Sequence, residues 1–194
     1  MPFRALLLTF ATLATFAAAP KPKVKITTNL GSFTVELEPE AAPKTVANFL
    51  AYVKAGFYNG TVFHRVIADL LIQGGAFTPD MQQKPERAPI ANEANNGLSN
   101  LRGTLAAARR PSEKNSATAQ FFINTVDNRQ FDYSSDASAD ASGYCVFGRV
   151  VEGLDVIDKI RTVATAARAP FAANVPVAAI IVERALVLDA TSSP

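Results

Sequence analysis

Apolar and polar positions alternate along several short segments of the chain, a pattern typical of β-strands with one buried face. Residues 24–28 and 33–37 alternate in this way on either side of an Asn29–Ser32 turn, which predicts a β-hairpin. Further strands are predicted where short apolar runs are bounded by turn residues. These runs are 63–67, 70–73, 104–108, 119–124, 144–151 and 180–188.

Two segments have the periodicity of an amphipathic helix instead. The first starts at Pro43, a residue favoured at the first helical position, and Gly56 is placed to end it. The second begins near Gly153. The segments 78–103 and 162–176 have no clear hydrophobic period, so we predict that they are loops. Because strands do not alternate with helices, we predict a mainly β fold, an antiparallel barrel or sandwich of about eight strands with two helices over its open ends.

The first residues have the three parts of a secretory signal peptide. Arg4 precedes an apolar run at 5–16, and the alanines at 17–19 supply an Ala-x-Ala cleavage signal. The run is shorter than the roughly 20 residues that a membrane-spanning helix needs. We therefore predict a signal peptide at 1–19, one domain at 20–190 and a periplasmic or secreted protein without a membrane span. A retained N-terminal anchor is the alternative.

Composition narrows the classes of function. Of the 194 residues, 48% are hydrophobic and 19% are charged, which is enough apolar material for a sizeable core. The net charge of +2 lacks the basic excess of a nucleic-acid-binding protein, so we expect no nucleic-acid partner. The single cysteine, Cys145, excludes an internal disulfide framework.

Reactive side chains are too few for most enzyme chemistry. One histidine and one cysteine cannot build a zinc or iron centre, and the chain has neither a nucleophile elbow nor a phosphate-binding glycine loop. We expect His64 to be a structural histidine with its polar atoms satisfied. A hydrolase with paired carboxylates stays open, although nothing in the sequence points to one.

What remains is a set of side chains that could form a polar site with apolar walls: Arg65, Gln73, Gln120 and Phe122. Alternation predicts that Arg65 shares a strand face with Phe63 and Ile67, and that Gln120 lies beside Phe122. A guanidinium among apolar neighbours is either in a structural ion pair or held for a ligand. The residues alone favour a structural ion pair for Arg65 and a core position for Phe122, with a role in ligand binding as the alternative for each.

Several motifs, in order over residues 24–188, make the chain resemble the cyclophilins, which are peptidyl-prolyl cis-trans isomerases. These motifs are Phe63-His64-Arg65-Val66-Ile67, Ile72-Gln73-Gly74-Gly75-Ala76-Phe77, Ala119-Gln120-Phe121-Phe122-Ile123-Asn124 and the segment 143–153. The stretch Asn92-Glu93-Ala94 and the segment 102–105 resemble the bacterial members, which with the signal peptide implies their exported branch. The resemblance implies an eight-stranded antiparallel β-barrel capped by two α-helices.

The resemblance also implies roles for individual residues. Arg65 falls at the family's catalytic arginine, and Phe122 falls at the floor of its proline pocket. The other positions expected to bind substrate are Phe63, Leu70, Leu71, Gln73, Ala108, Arg109, Gln120, Phe131 and Tyr144. Gln130 stands where many members have a tryptophan that helps to bind cyclosporin, so weak binding of that drug is expected.

By this resemblance the protein would accelerate X–Pro isomerisation in extracytoplasmic proteins as they fold. Its partners would be unfolded or flexible polypeptides that contain proline, and it would act as a monomer without a cofactor or a metal. The alternative is a module of the same fold that binds proline-containing peptides with little turnover. Arg65 discriminates between the two, because a degenerate member would be expected to lose it.

Overall fold

The fold is given by a computed structural model that describes residues 20–188, so the predicted signal peptide at 1–19 lies outside the described residues. Within this range there are ten strands, two α-helices and a short 3₁₀ helix at Arg129–Phe131. The strands are β1 (Lys23–Thr28), β2 (Gly31–Leu37), β3 (Phe63–Ile67), β4 (Leu71–Gly74), β5 (Thr104–Ala107), β6 (Phe121–Asn124), β7 (Val146–Glu152), β8 (Thr165–Arg168), β9 (Phe171–Pro176) and β10 (Val182–Leu188). The helices are α1 (Pro43–Lys54) and α2 (Leu154–Arg161), and neither is long and apolar enough to cross a membrane.

One curled sheet dominates the fold. It contains eight antiparallel strands in the order β10-β1-β2-β7-β5-β6-β4-β3. Its two edges meet at an isolated bridge between Val62 and Ile181, next to a backbone hydrogen bond of 3.0 Å from the Phe63 N–H to the Ile180 carbonyl. The predicted mainly β fold, an eight-stranded antiparallel barrel with two helices, is confirmed, with the sheet open along much of its edges.

Both helices lie where their local signals predict them. Pro43 is the first residue of α1, where its missing N–H costs no hydrogen bond. Gly56 follows the helix with a φ of +64°. Hydrogen bonds from Gly56 N–H to the Val53 carbonyl and from Phe57 N–H to the Tyr52 carbonyl end the helix. The apolar face of α1 packs against β10, and that of α2 packs against β2.

A β-bulge at His64 corrects the predicted face of Arg65. Phe63 pairs with Gly74 but Arg65 pairs with Gln73, so β3 carries one more residue than β4 between these pairs. Phe63 is therefore 1% exposed in the barrel interior, against Phe121, and Arg65 lies on the other face. The structure thus places the Phe63 side chain in the core and outside the cleft described below, and its expected part in substrate binding stays a prediction.

The segment 162–176, predicted as loop, also differs from expectation. It contains β8 and β9, which form a separate antiparallel hairpin with Thr165 paired to Pro176. All four side chains of β8 are exposed, so no apolar alternation marks the strand. The hairpin is held instead by β9, whose Val175 and Phe171 pack on Val62 and Phe77 beside β3.

Candidate active site

An open cleft of about 540 Å³ lies on the outer face of β3, β4 and β6. Strands and the loops that join them bring to it ten of the eleven residues predicted for the site: Arg65, Leu70, Leu71, Gln73, Ala108, Arg109, Gln120, Phe122, Phe131 and Tyr144. Phe63 is the exception. The side chains are thus brought together as the sequence led us to expect, while their roles in binding and catalysis stay predictions.

Three aromatic rings form an apolar pocket in this cleft. Phe122 lies 5.9 Å from Phe131 and 5.6 Å from Tyr144, centroid to centroid, and Phe131 lies 5.3 Å from Tyr144. Leu71 is buried beside Phe122, and Leu70 packs at the edge of the same cluster. Phe122 faces this pocket because strand β6 alternates, which places Phe121 and Ile123 in the main core. A small apolar ring such as that of proline would suit its walls.

A short chain of hydrogen bonds crosses the cleft beside this pocket. An Arg65 Nη1–H donates to Gln73 Oε1 at 3.3 Å, and Gln73 Nε2–H donates to Gln120 Oε1 at 3.0 Å. Within residues 20–188, Arg65 has no salt bridge and makes no other side-chain hydrogen bond. The structural ion pair that the sequence left open is therefore not formed with any described residue, and most of the guanidinium N–H groups are available to a ligand.

The side chain of Arg109 builds one wall. Its Nε–H donates to the Gly143 carbonyl at 2.9 Å, and an Nη1–H donates to the Pro111 carbonyl at 2.9 Å. The guanidinium also lies over the Tyr144 ring, 4.5 Å from its centroid. This position was expected only to bind substrate, and the structure adds that its side chain contacts Tyr144 and ties two loops together.

Carboxylates do not line the cleft among the described residues. Glu86 lies in an adjoining cavity of about 370 Å³, where it accepts hydrogen bonds from the Thr118 hydroxyl and from the Ala119 N–H. Residues 20–188 also contain no group of three or more histidine, cysteine or acidic residues that could hold a metal ion. The cleft can therefore donate hydrogen bonds, but its described walls offer no carboxylate pair for hydrolysis.

Sequence reasoning missed four residues of the cleft: His64, Phe77, Pro111 and Phe171. His64 was expected to be a satisfied structural histidine, and it is 2% exposed, but its Nδ1 has no hydrogen-bond partner in the described structure. In the sequence, only the position of His64 directly before Arg65 could have indicated that it lines the cleft. Phe171 gave no signal, since its segment had no period and was predicted as loop.

Burial makes His64 a poor base. Loss of solvation, with a smaller contribution from the neighbouring Arg65 charge, lowers the pKa of His64 to about 4. The imidazole is thus neutral at physiological pH, and it adds no charge to the cleft beside the guanidinium.

The same pKa shift predicts acid sensitivity of the fold. An unfolded chain has an ordinary histidine pKa of about 6.5, so between that value and about 4 only the unfolded state binds the proton. The unfolding free energy should therefore fall by about 3 kcal/mol as the pH drops through this window. Urea denaturation of the wild type and of His64→Gln at steps from pH 7 to pH 4 measures it. Parallel stability curves for the two proteins would contradict the prediction.

Comparison with known proteins places this geometry in context. The family model of cyclophilin type peptidyl-prolyl cis-trans isomerases matches residues 23–183. The peptidyl-prolyl cis-trans isomerase cyp18 of Streptomyces antibioticus is 52% identical over 165 residues, which cover 85% of this chain and 98% of the relative. Peptidyl-prolyl cis-trans isomerase B of Escherichia coli (strain K12) is 51% identical over 162 residues, which cover 84% of this chain and 97% of the relative.

The solved structures agree on the fold. The crystal structure of a Cryptosporidium parvum cyclophilin type peptidyl-prolyl cis-trans isomerase superimposes with a TM-score of 0.70 at 23% sequence identity. The superposition covers 87% of this chain and 98% of that one. The curled sheet and its two helices are therefore shared over nearly the whole length of the solved protein.

Proposed function

The chain belongs to the cyclophilin-type peptidyl-prolyl cis-trans isomerases, and we propose that Arg65 is its catalytic residue. We also propose that its substrates are proteins that fold outside the cytoplasm. Membership rests on the family model over residues 23–183 and on relatives near 50% identity along most of the chain. The protein is therefore an isomerase of X–Pro peptide bonds. The role of Arg65 and the place of action are the proposed parts.

The reaction needs no acid, base or nucleophile. The barrier to rotation about a peptide bond, about 18–20 kcal/mol, comes from the partial double-bond character of the C–N bond. X–Pro bonds exchange between isomers over tens to hundreds of seconds without a catalyst. A catalyst must bind the twisted amide more tightly than the planar one, and a 10⁵-fold acceleration requires about 7 kcal/mol of such differential binding.

The cleft can supply this differential binding. When the amide twists, its nitrogen becomes pyramidal and can accept a hydrogen bond, which the Arg65 guanidinium is placed to donate. The rings of Phe122 and its neighbours would hold the proline ring while the preceding carbonyl turns. A charge-assisted hydrogen bond gains strength where water is excluded, so one donor together with correct positioning could account for most of the acceleration.

The observation that carries this proposal is the state of Arg65. Its guanidinium borders an apolar pocket, has no carboxylate partner among the described residues, and is held by a single hydrogen bond to Gln73. A structural arginine in such surroundings would be expected to have an ion-pair partner. A donor kept free beside a pocket for a small apolar ring fits catalysis by hydrogen bonding.

A refolding assay tests the function. We expect catalytic amounts of the wild-type protein to accelerate the slow, proline-limited refolding phase of a substrate protein, in proportion to enzyme concentration. Peptide binding without acceleration would favour the alternative, a proline-binding module. Mass spectrometry of the same peptides excludes or reveals a carboxylate-based hydrolase, because hydrolysis adds the mass of water and isomerisation leaves the mass unchanged.

The extracytoplasmic role rests on residues 1–19, which have the charge and apolar pattern of a signal peptide. Expression of the full chain in a bacterium should yield a periplasmic or secreted protein whose intact mass lacks these residues. Leu8→Arg places a charge in the apolar run and should leave the precursor uncleaved in the cytoplasm. Recovery of the wild-type protein there at full length would contradict this part of the proposal.

A further inference from the structure

A second group of aromatic rings lies at the β3 edge of the cleft. The His64 ring stacks on that of Phe171 with centroids 5.2 Å apart and lies 4.7 Å from that of Phe77. Phe77 and Phe171 meet edge to face at 5.1 Å. All three rings line the same cleft as Arg65, and none of them belongs to the pocket around Phe122. We call these three residues the aromatic trio.

The sheet register gives the distance between the trio and the Phe122 pocket. Arg65, next to His64 on β3, pairs with Gln73 on β4, and Gln73 pairs with Phe122 on β6. Neighbouring strands are about 4.8 Å apart, so two strand spacings separate the groups by about 10 Å. An extended peptide advances about 3.3 Å per residue, so a peptide with its proline at Phe122 reaches the trio after about three residues.

The trio is built as a rigid apolar surface. His64 is 2% exposed and uncharged at neutral pH, and Phe77 is nearly buried, so their rings back that of the partly exposed Phe171. Behind them lies a small core of Val62, Met81 and Val175 that anchors the hairpin to the sheet. A partly exposed ring over a packed base offers contact area at little cost in conformational entropy.

We propose that His64, Phe77 and Phe171 form a subsite for an apolar or aromatic side chain that lies two or three residues from the substrate proline. The inference rests on the proposed binding of proline in the Phe122 pocket, since only an occupied pocket sets the spacing. Continuity between the two surfaces within one cleft supports a single extended peptide as the occupant. Phe171, on the β8–β9 hairpin, then determines which substrates are preferred.

Peptide binding by the wild-type protein tests the subsite. The probes are glycine-rich peptides with one central Ala-Pro pair and a single phenylalanine moved from three residues before the proline to three residues after it. We expect one or two adjacent positions, on one side of the proline, to lower the dissociation constant by about fivefold. Intermolecular NOEs from the peptide ring to the ring protons of Phe171, the partly exposed member of the trio, should accompany that position.

Variants then assign the preference to Phe171. Phe171→Ala should reduce the fivefold preference to less than twofold, whereas Val177→Ala should retain it. Val177 directly follows β9 and is 66% exposed outside the cleft, which makes it a matched control on the same hairpin. Absence of any preferred position in the wild type, or a preference unchanged in Phe171→Ala, would overturn the proposal. The wild-type titrations and NOEs decide the matter even if Phe171→Ala fails to fold.

The same peptide samples test the subsite and the proposed catalytic function separately. NMR exchange between the cis and trans forms of each peptide reports turnover, whereas the titration reports binding. Failure to accelerate exchange in any peptide would refute the catalytic role, yet the dissociation constants would still show whether the trio selects a side chain. Turnover without positional preference would refute the subsite alone.

Discussion

Replacement of Arg65 by alanine is expected to lower kcat/KM for X–Pro isomerisation by about 10²- to 10³-fold, the usual effect of removing one preorganised donor from a transition state. Of the two cations that line the cleft among residues 20–188, Arg109 donates to four carbonyl groups, whereas the guanidinium of Arg65 donates to none. Exchange spectroscopy of a proline peptide at equilibrium measures the rate directly, without a coupled protease. Binding of the peptide should weaken far less than turnover, because the donor acts mainly on the twisted amide.

Two further substitutions make this result specific. Arg65→Lys keeps the charge but loses the planar fork of donors, and should recover only part of the activity. Arg149→Ala removes an exposed arginine of β7 that pairs with Glu36 and does not line the cleft, and should leave the rate unchanged. The Arg65→Ala protein should also remain folded, since no ion pair is lost among the described residues. Equal rates for Arg65→Ala and the wild type would end the catalytic proposal.

The largest effect on stability is expected from Phe121→Ala, with a loss of about 3–5 kcal/mol of unfolding free energy. Phe121 is 2% exposed in the barrel interior, and its ring contacts those of Phe49, Tyr58 and Phe63 at centroid distances of 5.6, 5.5 and 6.1 Å. Removal of the ring leaves a cavity that rigid aromatic neighbours cannot fill. Urea denaturation with linear extrapolation measures the change.

The neighbouring residue supplies the control. Phe122→Ala removes the same number of atoms, but from the side of β6 that faces the cleft, where solvent can enter the space. We therefore expect a smaller loss of stability than for Phe121→Ala and a marked weakening of peptide binding. A loss of stability for Phe122→Ala that equals that of Phe121→Ala would show that the two faces of β6 are not distinguished in this way.

That Phe121 and Phe122 lie on opposite faces of β6 was predictable from the sequence, because alternation along a single regular strand is a local property. The helix starting at Pro43 and ending before Gly56 was predictable for the same reason, since each signal acts within one turn. The family resemblance then identified ten of the residues that the structure gathers in the cleft. That prediction came from ordered motifs, and the periodicity of the chain could not have provided it.

Elements that depend on a distant partner were not predictable. The bulge at His64 exists because β3 and β4 differ by one residue between their pairs, and nothing in the β3 segment alone shows that mismatch. It moves Phe63 into the core and leaves Arg65 in the cleft. The β8–β9 hairpin likewise forms through its own cross-strand pairs and through Phe171 packing on His64, although its strands have no apolar period.

The chain's own pattern thus determined the two helices and the eight strands of the main sheet, and which residues of a regular strand share a face, because these depend on neighbours a few residues away. The register of β3, the neutral buried imidazole beside Arg65 and the trio of rings at the edge of the cleft required the folded molecule. Each arises from contacts between segments far apart in the chain, whose geometry no local pattern encodes.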